Sequence, residues 1–347
     1  MITIDCSEGE GGGQILRTAL SLSVATGKPF AIKNIRARRS KPGLMRQHLT
    51  AVNAAAEISH ARVRGAEVGA ASLLFEPGPA KPGDYVFRIG SAGSTTLVLQ
   101  TVLAPLALAG GRSHLVIEGG THNQGAPPFE FIDRAFLPLL RRIGYDVSAV
   151  LKRPGFYPAG GGLIEVEIGP AGESRPLILE ERGAPISRKA EAVLANLPGT
   201  IAERELAALA PALGFVPHEL FMRSESCANG PGNCLLVTFE YETICEVVTA
   251  FGRVGASSEK VAAEAAGEAR AYLACDAPVG SHLADQLILP MALASGGRFV
   301  TATASSHLLT NIRVVGLFLD TGITIAELDA DRCRVAVDRS KGTDLRR

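Results

Sequence analysis

Apolar positions along this chain fall into a pattern that returns three times. Ile15, Leu16, Ala19, Leu20, Leu22 and Val24 recur at helical spacing, and the helix they predict stops at Gly27, with Pro29 just beyond. Ile2 and Ile4 predict a short strand before it, and residues 30–35 a strand after it. The same succession follows Gly90-Ser91-Ala92-Gly93-Ser94: an apolar helix over 95–109, a stop at Gly110-Gly111 and a strand at Leu115-Val116-Ile117. It returns after Val279-Gly280 as a helix over 283–294, a stop at Gly296-Gly297 and a strand over 298–302. Each time a second helix follows (43–58, 128–143 and 306–319), and then two strand-like pieces. The implied unit is strand–helix–strand–helix–strand–strand, about 80 residues long. Gly27 and Gly110 lie 83 positions apart, whereas Gly110 and Gly296 lie 186 apart. The longer interval makes room for an insertion over residues 184–277. Its own pattern predicts a strand over 187–195, a helix over 201–213 opened by Thr200, strands over 235–241 and 244–253, and a helix over 257–273. The expected fold class is α/β (α+β). A large domain of residues 1–183 and 278–347 would hold three units (about 1–80, 81–183 and 278–347), and residues 184–277 would form a small inserted α/β domain.

Composition narrows the class. The 347 residues are 46% hydrophobic and 20% charged, an ordinary globular balance with enough chain for two or three domains. Formal net charge is zero, so no global field draws the protein to nucleic acid or to anionic membrane, and any polyanion must meet a local patch. The most apolar stretch, 97–109, contains Gln100, Thr101 and Pro105 and is too short to span a bilayer. With no basic leader at the N-terminus, the expected location is the cytoplasm. The six cysteines show no CxxC pair and no zinc spacing, and read as mostly buried thiols.

The local patch is present. From Gly11 to Ala56 there are eight basic residues and no acidic one: Arg17, Lys28, Lys33, Arg36, Arg38, Arg39, Lys41 and Arg46. Four of them crowd the turn Arg36-Ala37-Arg38-Arg39-Ser40-Lys41-Pro42-Gly43, and Arg46-Gln47-His48 continue the polar cluster. Guanidinium forks match phosphate geometry, so this block predicts a phosphate-bearing ligand. The turn Gly9-Glu10-Gly11-Gly12-Gly13-Gln14 would let a phosphate approach the backbone. It is not a Walker A loop, because no Lys-Ser/Thr follows, and Gln14 stands where a Rossmann fingerprint needs its third glycine. Glu10 there suits either Mg²⁺ held against phosphates or a salt bridge to Arg17.

The most specific stretch is Ser305-Ser306-His307. The serines are good helix caps, which places His307 in the first turn of the helix that follows. The positive end of the dipole favours anions and a neutral imidazole, and such a ring can attack a bound phosphorus. The alternative is a histidine that merely caps a helix end. Asp285 and Gln286 open another helix, where they either complement its dipole or read the hydroxyls or edge of a nucleotide. Gln100, in an otherwise apolar helix, needs a partner or a ligand. Pro127-Pro128 and Phe156-Tyr157-Pro158 are apolar loop segments that either flank a base or cover a core.

As a set, the 9–14 turn, the 36–43 turn, Arg46-Gln47-His48-Leu49-Thr50-Ala51-Val52, and residues 90–100, 155–162, 282–286 and 307–312 resemble the RNA 3′-terminal phosphate cyclase family, in order and over essentially the whole chain. The resemblance implies three repeated two-helix, four-strand units, similar to the C-terminal domain of translation initiation factor 3, with a small inserted domain. It implies ATP as a substrate, Mg²⁺ or Mn²⁺, RNA 3′-phosphate ends as the acceptor, and no obligate protein partner. His307 matches the family's nucleophile, which takes AMP on Nε2 and passes it to the RNA 3′-phosphate; the vicinal 2′-OH then closes a 2′,3′-cyclic phosphate. Gln100, Pro127, His282, Leu283, Ala284, Asp285 and Gln286 match nucleotide-contacting positions. Arg17, Arg36, Arg39 and Gln47 match the phosphate-binding set, and Glu10 matches a metal-binding carboxylate. Some relatives carry an aromatic residue in place of His282, and others a cysteine in place of Ser306. Two rival readings make distinct claims. A binding module would lack the nucleophilic histidine, and an enolpyruvyl transferase would give His307 no role and need neither ATP nor a metal.

Overall fold

The computed structural model describes residues 1–7 and 12–338. Among the described residues the chain forms eight helices and four small mixed sheets. The first part runs β1 (Ile2–Asp5), α1 (Gly13–Thr26), β2 (Phe30–Lys33), α2 (Arg46–Ser59), β3 (Arg62–Arg64) and β4 (Leu73–Glu76). Helix α1 ends as its sequence dictates, with Gly27 in the left-handed region at φ 70°. The second part runs β5 (Asp84–Arg88), α3 (Thr95–Leu108), β6 (Ser113–Gly119), the broken helix α4, β7 (Val147–Arg153) and β8 (Gly162–Ile168). Helix α4 consists of Phe129–Phe131, a π-helical segment Ile132–Phe136, and Leu137–Arg142.

Strand β9 (Leu177–Leu179) follows. The chain then forms β10 (Pro185–Ala195), α5 (Thr200–Leu213), β11 (Leu220–Glu225), β12 (Gly232–Tyr241), β13 (Cys245–Phe251) and α6 (Ser258–Cys275). It returns through α7 (Ser281–Leu293), β14 (Gly297–Ala302), α8 (Ser306–Phe318), β15 (Ile323–Glu327) and β16 (Arg332–Val337).

Three sheets share one order and one set of senses. They are β1-β2-β4-β3, β5-β6-β8-β7 and β9-β14-β16-β15; the first two strands of each are parallel and the other neighbours antiparallel. The third sheet departs from the sequence expectation. Its first strand is β9, from before the inserted stretch, with Leu177 beside Gly297. The sequence pattern alone places Leu177 in the second unit and begins the third at 278. The fourth sheet, β11-β10-β12-β13, keeps the senses but changes the succession.

Helices α1, α2, α3 and α8 pack on one another, and α7 on α8, so the three similar sheets enclose one continuous core. A separate core lies under the fourth sheet, drawn from residues between Ala190 and Tyr272 of β10–β13, α5 and α6. Arg182 fastens the two connections between these bodies. Its Nε donates to the Ala277 carbonyl at 2.9 Å, and its guanidinium lies 3.9 Å over the Tyr272 ring. No helix among the described residues is long and apolar enough to cross a membrane.

Candidate active site

The heads of α1, α3, α7 and α8 meet β13 and α6 around a cavity of about 720 Å³. His307 sits at its wall in the first turn of α8. Ser305 caps that helix, its hydroxyl accepting from the Leu308 amide at 3.1 Å, which is the role its sequence position predicts. The Nδ1 of His307 lies 2.9 Å from Gln14 Oε1, and the Gln14 amide nitrogen donates to Asp285 Oδ2. One helical turn deeper, Thr18 Oγ1 donates to Asn311 Oδ1 at 2.7 Å, and Asn311 Nδ2 donates to the Asp285 carbonyl at 2.7 Å. Thr18 and Asn311 are buried.

A basic corner adjoins this wall, where Arg17, Arg36, Arg39 and Gln47 all line the cavity. Arg36 has a left-handed backbone (φ 55°), and its guanidinium spans its own turn to the carbonyls of Lys41 and Gly43. Burial and then the neighbouring Arg39 lower its pKa, the sign of cations crowded together. His48 is buried among them. Burial first, then Arg17 and Arg36, push it down to about 3, so it is neutral at pH 7 and adds no charge. Its Nδ1 accepts from the Met45 amide at 3.2 Å, and its ring lies against Gly13. A Cβ at Gly13 would stand 2.2 Å from His48 Nε2 and 2.9 Å from Arg17 Nη1, so only glycine lets these groups close on the start of α1. Gln47 Oε1 accepts from the Ser94 amide at 3.3 Å, tying α2 to the head of α3.

The opposite wall is apolar, built from Leu97, Pro127, Phe131, Phe136 and Leu289, with Val247 and Phe251 from the inserted stretch. Gln100, half-buried, finds a partner. Its amide donates to Gln286 Oε1, and Gln286 donates to the His282 carbonyl at 2.7 Å. His282 stands 3.4 Å from Glu268 of α6. Glu246 of β13, fully buried, accepts from the Gly280 amide at 3.0 Å, and burial pushes its carboxyl up to about 8.

The structure therefore brings Arg17, Arg36, Arg39, Gln47, Gln100, Pro127, His282, Asp285, Gln286 and His307 around one cavity. Leu283 and Ala284 turn inward and are buried in the large core, and neither lines the cavity. Glu10 lies outside the described residues. Pro128 lines the cavity beside Pro127, but Phe156 is buried and stacks on His122, with ring centroids 4.9 Å apart. The Gly230-Pro231-Gly232 loop packs on Phe156 and Ala159. The sequence assigned no role to Gln14, Thr18 or Asn311, although Gln14 and Asn311 lie inside stretches that carry the family resemblance. The wall supplied by the inserted stretch also had no sequence signal. Among the described residues no group of three or more His, Cys, Asp or Glu side chains converges as a metal cage.

Comparison with known proteins agrees in kind with this chemistry. A family model described as "RNA 3′-terminal phosphate cyclase" matches residues 8–325. A protein of Koribacter versatilis (strain Ellin345) named RNA 3′-terminal phosphate cyclase is 51% identical over 337 residues, covering 97% of this chain and 95% of the relative. One of the same name from Ralstonia nicotianae (strain ATCC BAA-1114 / GMI1000) is 52% identical over 339 residues, 97% of each chain. Among solved structures, the enolpyruvyl transferase NikO from Streptomyces tendae aligns with 96% of this chain and 48% of its own. The TM-score is only 0.37 and the identity 9%, too little to argue from.

Proposed function

This chain belongs to the RNA 3′-terminal phosphate cyclase family, and from that premise we propose that its cavity converts an RNA 3′-terminal phosphate to a 2′,3′-cyclic phosphate at the expense of ATP. The carrying observation is that His307, at the head of α8, shares one cavity with Arg17, Arg36 and Arg39. A nucleophilic ring and a set of phosphate-matching cations at one place suit transfer of a phosphoryl-linked group. His307 Nε2 would attack the α-phosphorus of ATP. An N–P bond forms, the bond to the bridging oxygen breaks, and pyrophosphate leaves with the electron pair. The resulting histidine–AMP would pass its adenylyl group to the RNA 3′-phosphate. The vicinal 2′-OH would then attack that phosphorus, releasing AMP and closing the ring.

In this reading the base lies on the apolar wall against Pro127, with Gln100, His282 and Gln286 at its polar edges. Arg17, Arg36, Arg39 and Gln47 receive the phosphates of ATP and then of the RNA end. Mg²⁺ or Mn²⁺ would neutralise triphosphate charge, with Glu10 as its protein carboxylate. A cation carried mainly by phosphates and water needs no preformed protein cage. We further read the three sheets of common order as three copies of one unit, and residues 184–277 as an inserted domain that supplies a wall of the nucleotide pocket. The cytoplasm suits such a protein.

The test is incubation with α-³²P-ATP and Mg²⁺ followed by a denaturing gel. An acid-labile, base-stable label on the wild type and none on His307→Ala supports the reading, and cyclisation of a 3′-phosphorylated oligonucleotide should be lost in parallel. A wild type that takes no label under varied metal and pH would sink it.

A further inference from the structure

The geometry points to Gln14 and Asp285 as positioning residues that fix the tautomer of His307 and so select Nε2 as the attacking atom. This inference rests on the adenylyl-transfer reading for its consequence, though not for its geometry. A carboxylate only accepts hydrogen bonds. Asp285 Oδ2 therefore takes the NH₂ end of the Gln14 amide, and the carbonyl end is left facing His307. A carbonyl also only accepts, so the proton of the neutral imidazole must sit on Nδ1, 2.9 Å away, and the lone pair on Nε2. The order Asp285–Gln14–His307 thus sets the ring as a carboxylate would, but with a neutral amide in between.

The second rung, Thr18–Asn311–Asp285, keeps the first in register. Gln14 and Thr18 are one turn apart on α1, and His307 and Asn311 are one turn apart on α8, so each pair shares a helix face. Both rungs close on Asp285 of α7, one through its side chain and one through its carbonyl. Because Thr18 and Asn311 are buried, water does not compete for the deeper rung. Asp285 is thereby engaged with protein at both ends, which gives it a task other than contacting the nucleotide.

The neutral amide has a chemical consequence. When Nε2 bonds to phosphorus and pyrophosphate departs with its electrons, the proton stays on Nδ1 and the adduct ring becomes cationic. A carbonyl partner holds that proton without neutralising the ring. The imidazole therefore remains a good leaving group for the second transfer, in which the N–P bond breaks and the electron pair returns to Nε2.

The experiment uses the full chain with ¹⁵N-labelled histidine rings. Long-range ¹H–¹⁵N spectra are recorded at a pH where the ring is neutral, and the His307→Ala spectrum identifies the signals. The expected result is an Nδ1–H tautomer in the wild type, lost in Gln14→Met. Self-adenylylation by Gln14→Met and by Asp285→Ala should slow on the order of 100-fold at saturating ATP with little change in KM. The double variant Gln14→Glu with Asp285→Asn, which keeps an acceptor on Nδ1, should recover the tautomer. An Nε2–H ring in the wild type, or a Gln14→Met protein with unchanged tautomer and rate, overturns the proposal; so does an Asp285→Ala effect confined to KM. A wild type that shows the Nδ1–H ring but takes no label would leave the relay standing and remove the adenylyl-transfer reading instead.

Discussion

Single residues set the tightest limits here, and Gly13 is the clearest of them. Its missing Cβ is filled by the ring of His48 and the head of Arg17, two groups from different helices that wall the basic corner. Gly13→Ala should lower stability by about 1–3 kcal/mol, because neither a buried ring nor a helix backbone yields cheaply. It should also weaken binding of inorganic pyrophosphate, which calorimetry would read directly. An alanine variant with wild-type melting and affinity would show the corner to be looser than it is drawn. Much at this scale was legible in the sequence. The Ser305 cap put His307 in a first turn, and three arginines of the basic run line one corner of the cavity. Gln14 was not legible, because its meaning comes from Asp285 and His307, each more than 270 positions away. No local spacing encodes such an encounter.

Helices announced themselves better than strands. Apolar periodicity placed all eight near their observed bounds, since helices of 13 to 18 residues leave a strong signal even when the ends shift. Strand β9 has three residues and β11 is a half-exposed edge strand, so neither repeats long enough to show a period. The elements of the inserted stretch also carry a pH response. Glu205 of α5 is pushed up to about 7 and Glu246 of β13 to about 8, in both cases chiefly by burial. The unfolded chain releases these protons near 4.5 while the folded chain keeps them. Their stabilising contribution is therefore full below about pH 4.5 and declines as pH rises toward 8. Glu130 works in the opposite sense. His122 and Arg223 hold its carboxyl far below its usual range, so its contribution is present above pH 4.5 and lost in acid. Thermal unfolding followed from pH 5 to 8.5 should show the alkaline decline, and Glu205→Gln with Glu246→Gln should flatten it. An unflattened slope would assign the decline to other groups.

The whole molecule depends on how its two cores are joined. Beyond the Arg182 clasp, a cluster of buried charge crosses the boundary. Arg134, in the π-helical segment of α4, pairs with Glu191 of β10, and Arg223 of β11 pairs with Glu130 of α4, which also accepts from His122. Arg223→Met would leave the Glu130 carboxylate, 4% exposed, with His122 as its remaining partner, and should destabilise by about 3 kcal/mol. Because β13 and α6 form a wall of the cavity, ATP affinity should fall with it; isothermal titration would measure the loss. Unchanged affinity would mean that the wall stands without this fastening. Little of this was legible in sequence, since charged residues scattered over about 100 positions look like surface until the fold gathers them.

The place of β9 carries one more consequence, for the order in which the protein is made. The sheet that delivers His307 to its helix begins with a strand synthesised before the inserted stretch, and Leu177 finds its neighbour only when Gly297 has followed. A ribosome emits the first two sheets and the whole inserted core while that strand waits. The residues of the basic corner are thus made long before His307, the residue proposed above as the nucleophile. On that proposal, a polypeptide released early would carry the cations without the group that acts beside them.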